Sequence, residues 1–317
     1  MMRRCLLPLL LVHATALTNP AFTAGSAAFQ TGDLRVARRH FEESKRLFPD
    51  DAATRAVLSK LDELGIESAR SDDDEVISYR SCQLRLKGGK RTIRVLCPAD
   101  DRPIASSAGD TSGVQVWTCA MALIDWLSDH QEMVRGTSAL ELGSGTGIVG
   151  NAFAAYGASH VCMTDLPHML PLLNANADAN RDDAVDGTVE VAPLCWGQMS
   201  GPLFERPWGL ICAADVCYDA GLVPPLGATL RALLSAQPSA TALLALSDLQ
   251  GGVAGSDRPN YALLLDELRD GFATTRVASV PGAEALARHE GEVPIADAHR
   301  SHAIDIFTVK KESKSGG

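Results

Sequence analysis

The residues best placed to do chemistry sit in one run, Glu141-Leu142-Gly143-Ser144-Gly145-Thr146-Gly147-Ile148-Val149-Gly150, directly after the apolar stretch Ser138–Leu142. Glycine lets a ligand approach the main chain closely. A helix starting past such a turn also presents unpaired N–H groups to polar or anionic atoms. Two registers fit. Gly145-x-Gly147-x-x-Gly150 matches the dinucleotide-binding fingerprint, with Asp165 standing 20 residues on, where a ribose-binding acid belongs. In the second register, Glu141-x-Gly143-x-Gly145-x-Gly147, the loop opens as soon as the apolar run ends. A tight turn without a ligand is the third reading. A further candidate pair follows the apolar run Leu210–Ala214: Asp215 and Tyr218, spaced acid-x-x-Tyr. Asp215 stands either beside the switch point where α/β sheets place ligands or as the cap of a helix beginning near Ala220, since Asp is favoured at helix starts.

These residues need a scaffold, and the pattern around them supplies one. Short apolar runs at Ser138–Leu142, Val161–Thr164, Val189–Ala192, Leu210–Ala214 and Ala242–Leu246 alternate with helical periodicity at about 147–156, 168–180, 222–236 and 259–270. That alternation predicts an α/β fold, a parallel sheet covered by helices on both faces. Phe272–Val280 and His302–Val309 are expected to close it as an antiparallel pair. Upstream, Val116, Ala120, Leu123, Ile124 and Leu127 give another helix. The strand-like residues 76–96 around Lys87-Gly88-Gly89-Lys90 give an N-terminal β-hairpin.

The N-terminal part reads differently. Arg3-Arg4, the run Cys5–Val12 and Ala14-Thr15-Ala16 have the outline of a secretory signal peptide over residues 1–16, and an N-terminal helix is the other reading. Residues 20–70 form a helical extension, with a hairpin turning at Gly32-Asp33 and a third helix from Ala52 to Leu64. Gly25, Ala37, Phe41 and Pro49 are spaced as in one tetratricopeptide repeat, although Ala28 stands where an aromatic is usual. A single repeat cannot bury its own face, so it needs a neighbour, and a protein partner is one candidate. Ser71-Asp72-Asp73-Asp74-Glu75 marks the boundary to a main domain over residues 76–310.

Composition narrows the function. The chain carries 29 basic and 39 acidic residues, a net charge of −10. Residues 1–70 hold 10 basic and 8 acidic, which leaves −12 for the remainder. Nucleic-acid affinity depends on Lys and Arg neutralising phosphates, so nucleic acid is not the expected partner. No segment reaches the length of a membrane span. The eight cysteines include no C-x-x-C pair, so no metal site is expected from them. Cys82 and Cys97 flank the hairpin turn and are the one pair placed to face each other as a disulfide.

Taken in order, Gly113-x-x-x-Trp117, Glu141–Gly147, Thr164-Asp165-Leu166, Asn174-x-Asn176, Trp196-Gly197 and Ala214-Asp215-x-x-Tyr218 resemble the seven-β-strand protein-lysine methyltransferases of methyltransferase family 16, over about residues 76–310. The resemblance implies a Rossmann-like, doubly wound seven-stranded sheet with S-adenosylmethionine as cofactor. It implies cofactor contacts from Trp117, Glu141, Gly143, Ser144, Gly145, Asp165, Trp196 and Ala214. Asp215 and Tyr218 become the catalytic pair, Asp215 orienting a substrate amine and Tyr218 walling its channel. The partner it implies is a protein carrying the target lysine, and a cytosolic monomer is expected. Two other readings stand beside it: methylation of a histidine or small molecule, and a nicotinamide-dependent oxidoreductase using the first register. An inactive adaptor is a further one, against which the intact Asp215-x-x-Tyr218 speaks.

Overall fold

The computed structural model describes residues 38, 41–42, 44–45, 52–63, 79–87, 91–98, 112–181, 187–247, 260–289, 291–296 and 299–312. The chain divides into two compact units, Met1–Ser78 with Arg102–Thr111, and Tyr79–Asp101 with Ser112–Gly317. In the first, helix α1 (Ala52–Glu63) buries Val57, Leu58 and Leu61. Arg38 bridges Glu42 at 2.8 Å and Asp62 at 2.5 Å. The signal-like segment, the first helix of the expected repeat and Leu64 lie outside the described residues.

The second unit is built on a seven-stranded sheet. Its strands are β4 (Ser138–Leu142), β5 (His160–Asp165), β6 (Thr188–Pro193), β7 (Leu210–Ala214), β8 (Thr241–Ser247), β9 (Phe272–Pro281) and β11 (Ala303–Lys311), in the order β6-β5-β4-β7-β8-β11-β9. The five strands β6, β5, β4, β7 and β8 run parallel, and β11 pairs antiparallel with both β8 and β9. The expected antiparallel pair therefore closes one edge. Between β9 and β11 lies the two-residue strand β10 (Ile295–Ala296). Helices α2 (Thr118–Ser128), α3 (Ile148–Tyr156), α4 (Leu170–Ala179), α5 (Pro202–Glu205), α6 (Val223–Ala236), α7 (Asn260–Leu268) and α8 (Gly282–Ala287) connect the strands.

Side chains alternate across a strand, so β7 feeds two cores. Leu210 and Cys212 join α2 and α3 on one face, while Ile211 and Ala213 join α6 and α7 on the other. Strand β8 alternates in the same way, Leu243 and Ala245 against Ala242, Leu244 and Leu246. Burial on both faces is why these runs are almost wholly apolar.

The N-terminal hairpin, β1 (Tyr79–Arg85) and β2 (Thr92–Pro98), pairs with itself and stands outside the sheet. Asn176 on α4 and Asn180, the residue that caps its carboxyl end, dock it. Asn176 Oδ1 accepts from the Leu96 N–H at 2.6 Å and its Nδ2 donates to the Leu96 carbonyl at 3.1 Å. Asn180 does the same at Arg94, at 2.8 and 2.7 Å. One turn of helix thus imitates a neighbouring strand. The register sets Cys82 opposite Val95 and Cys97 opposite Arg80, so the expected Cys82–Cys97 pair does not face, and Cys82 is an unbridged thiol. The upstream helix also begins later than its apolar pattern suggested. Val116–Trp117 is a short strand, β3, pairing parallel with β10 (Ile295↔Val116, Ala296↔Trp117).

Candidate active site

Apart from Trp117, which ends β3, the expected site residues fall at or near the carboxyl ends of β4, β5, β6 and β7. The chain order reverses between β4 and β7, and open α/β sheets bind ligands at such a switch point. Past β4, Gly143, Gly145 and Gly147 all have left-handed backbone, with φ of 65°, 53° and 73°. Space there is as restrictive as conformation. A Cβ on Gly143 would lie 2.9 Å from Cζ2 of Trp196, and one on Gly145 would lie 2.8 Å from the Gly113 carbonyl oxygen. The loop is therefore wedged between Trp196, arriving from β6, and Gly113, arriving from the segment before α2.

Asp165 ends β5 and is locked in orientation. Its Oδ2 accepts from the Gly145 N–H at 2.7 Å and its Oδ1 from the Leu166 N–H at 2.7 Å. A carboxylate offers about four acceptor positions, which suits it to a ribose diol beside the loop. The glycine loop, whose main chain is bare of side chains at Gly143 and Gly145, the acid and the indole match the parts of S-adenosylmethionine, so these residues fit that group.

Glu141 and Ser144 are placed differently from expectation: both side chains face beneath the loop. Glu141 is 3% exposed and its Oε2 accepts from the Gly150 N–H at 3.0 Å. Burial pushes its carboxyl up to about 8, although bonds from Ser144 and Gly150 pull the other way. Ser144 Oγ accepts from the Thr164 N–H at 3.0 Å, and its own N–H donates to the Thr164 carbonyl at 2.9 Å. Both side chains brace the loop, whereas the resemblance set the two residues against the cofactor.

At the end of β7, past Ala214, Asp215 has φ of 59° and is the one non-glycine residue with positive φ among the described residues. Asp tolerates this region better than most side chains, yet strain at a strand end beside a binding loop is characteristic of functional positions. The capping reading of Asp215 fails. The short helical turn Ala220–Leu222 is capped by Asp219, whose Oδ1 accepts from the Gly221 N–H at 2.6 Å. Tyr218 is 45% exposed.

The Asp215 carboxylate instead meets His299, whose Nε2 lies 2.6 Å from Oδ2. The His299 ring stands 5.9 Å from that of Trp117, at 58°. Cys119, on the first turn of α2, completes the group. Burial, with the Asp215 charge and a hydrogen bond to its side chain, holds the thiol well above its ordinary range, so it stays protonated and donates to Asp215. Ligand atoms of Cys119, Asp215 and His299 all lie within 4.8 Å of one another, close enough to consider a cation. The 2.6 Å Nε2–Oδ2 separation favours a hydrogen bond, because two ligands on one tetrahedral zinc with bonds near 2.1 Å sit about 3.4 Å apart. Neither His299 nor the role of Cys119 was legible beforehand. The cysteine reads as a core residue, and His299 lies in no motif.

A model of the lysine methyltransferase family matches residues 99–248. EEF1A lysine methyltransferase 3 of Mus musculus is 32% identical over 171 residues, spanning 52% of this chain and 72% of that protein. Protein-lysine N-methyltransferase EFM3 of Chaetomium thermophilum is 30% identical over 185 residues, 56% of this chain and 52% of that one. Protein N-lysine methyltransferase METTL21A of Mus musculus is 38% identical over 103 residues, 32% of this chain and 47% of that one. The chain thus spans about half the length of the last two. Among solved structures, magnesium protoporphyrin IX methyltransferase from Synechocystis PCC 6803 with bound SAH shares 15% identity over 61% of this chain and 82% of that one, with a TM-score of 0.40. With EEF1A lysine methyltransferase 3 of mouse matched over 72% of its length and the glycine loop, Asp165, Trp196 and Asp215 gathered at one switch point, the chain belongs to the lysine methyltransferase family.

Proposed function

We propose that this protein transfers a methyl group from S-adenosylmethionine to a lysine side chain of a protein substrate. The observation that carries the reading is Asp215, held in left-handed backbone at the end of β7, next to the glycine loop and at the switch point. Family membership selects the Glu141-x-Gly143-x-Gly145-x-Gly147 register over the dinucleotide one.

When bound, S-adenosylmethionine supplies an electrophilic methyl on a sulfonium. Asp165 would hold the ribose hydroxyls, the loop main chain would lie along the methionine part, and Trp196, over Gly143, would flank the adenine. The target amine must arrive without its proton, and a free lysine with pKa about 10.4 is almost wholly charged at neutral pH. Low-dielectric surroundings lower that value, and buried Cys119 and His299, with half-buried Trp117 beside the His299 ring, provide them near Asp215. Asp215 then accepts an N–H of the neutral amine and so aims its lone pair. The rate gain in this scheme comes from alignment.

Calorimetry with S-adenosylhomocysteine, together with radiolabel transfer from S-adenosylmethionine into a cell lysate followed by hydrolysis to single amino acids, tests the reading. Micromolar or tighter binding and label in methyl-lysine are expected. Label in methyl-histidine or a small molecule, or heat from NAD with none from S-adenosylhomocysteine, would overturn it. Unbridged thiols at Cys82, Cys119, Cys162, Cys195, Cys212 and Cys217 suit a reducing compartment, so the cytosol is our proposed location. A mature N-terminus at Leu17, read by mass spectrometry, would refute that.

A further inference from the structure

His299 comes from the far end of the chain, 84 residues from Asp215, and its delivery is over-determined. Strand β10 pairs with β3, and Thr118 Oγ1 donates to the Ala296 carbonyl at 3.0 Å, tying the segment before His299 to the start of α2. On the other side, the His302 N–H donates to the His299 carbonyl at 3.0 Å and the Gly282 N–H donates to the His302 carbonyl at 2.8 Å. Gly282 leaves no room for adjustment, since a Cβ there would lie 1.8 Å from the His299 carbonyl oxygen. The ring is 2% exposed.

Its two nitrogens are used unequally. Nε2 bonds Asp215, while Nδ1 is buried without a hydrogen-bond partner among the described residues. An unpaired buried polar atom is destabilising, so a ring kept only for packing would serve better as an apolar side chain. The fold tolerates the orphaned Nδ1 in return for Nε2 at the carboxylate.

We propose that His299 is a positioning residue for methyl transfer. Its Nε2–H, with the thiol of Cys119, fixes the Asp215 carboxylate so that its remaining acceptor capacity faces the substrate amine. This rests on the lysine-methylation reading above. His299 touches neither substrate nor cofactor in this scheme and acts through Asp215.

The test uses full-length protein and the lysate transfer assay, with S-adenosylhomocysteine binding and melting temperature measured alongside. Gln places an amide nitrogen near the position of Nε2, whereas Asn places one near Nδ1, where the structure has no partner to offer. His299→Gln should keep kcat within about 3-fold of wild type. His299→Asn and His299→Leu should lose about 10-fold or more, with S-adenosylhomocysteine affinity unchanged, on the scale of a misplaced catalytic group. In an Asp215→Asn background the further loss from His299→Asn should shrink to about 2-fold, because the two residues act as one unit. Equal activity of the Gln and Asn variants, or losses that simply multiply in the double variant, would overturn the proposal. Should His299→Leu fail to fold, the Gln–Asn comparison and the cycle still decide. Failure of the underlying reading is distinguishable, since the wild type itself would then place no label in methyl-lysine, whatever the His299 variants do.

Discussion

Asp215→Asn is the sharpest single perturbation of the site, because the structure shows what it leaves alone. Asp215 sits at φ of 59°, where a Cβ costs roughly 1–2 kcal/mol for most residues but Asn is tolerated. Alanine would therefore mix backbone strain with loss of function, and Asn avoids this. The amide oxygen can still accept from His299 Nε2, at 2.6 Å in the wild type, but the bond is no longer charge-assisted. The difference between the two kinds of bond is about 1 kcal/mol, so the melting temperature should fall by only a few degrees. Activity should respond more strongly. If the carboxylate aims the amine, replacing it should cut transfer by roughly 10²-fold or more, the scale of a misplaced reacting group. S-adenosylhomocysteine affinity should stay near wild type, since Asp165 and the loop amides form a separate part of the site. The assay is radiolabel transfer into lysate, wild type beside variant at matched concentration, with calorimetry for the cofactor product. An Asp215→Asn protein with undiminished transfer would refute the catalytic role, and the capping alternative could not rescue it, because Asp219 holds that position.

Three more outcomes are expected. Asp165→Ala should weaken S-adenosylhomocysteine binding by about 1–3 kcal/mol, as it strips the acceptor from the Gly145 and Leu166 amides as well as from the ligand; unchanged calorimetry would remove Asp165 from the cofactor site. Glu141 holds its proton in the fold up to about pH 8 but releases it near 4.5 when unfolded, so wild-type stability falls as pH rises between those values. Glu141→Gln should then be the more stable protein at pH 7, by up to about 3 kcal/mol, with the gap widening from pH 5 to 8 in thermal melts; a constant gap would mean that Glu141 does not titrate there. His289 on the Asp125 carboxylate (3.0 Å) is the opposite case: burial lowers its pKa, but the hydrogen bond and charge of Asp125, with Glu292, outweigh that and raise it. Its charged form therefore contributes stability fully below about pH 6.5, lost as pH rises through the raised value, so the wild-type advantage over His289→Gln should narrow in thermal melts as pH rises above about 6.5; an advantage independent of pH would refute this.

Much of this protein was determined by its sequence alone. The five parallel strands, the antiparallel closing pair and the N-terminal hairpin follow from the alternation of apolar runs and turn residues, which is local information. The glycine loop, Asp165, Trp196 and the Asp215–Tyr218 spacing are legible for the same reason, since each stands at a fixed distance past a strand end. Tertiary structure alone decided how those pieces are used. Glu141 and Ser144 carry motif spacing, yet packing beneath the loop turned them inward. Cys82 and Cys97 flank one turn at unequal distances, and hairpin register placed them opposite Val95 and Arg80. Asn176 carries motif spacing too, yet only the docking of β2 against α4 makes it, with Asn180, a substitute strand. His299 stands in no motif. It reaches Asp215 because β10 pairs with β3 and the turn before β11 closes over Gly282, and pairings between segments this far apart in the chain depend on shape complementarity that no local periodicity encodes.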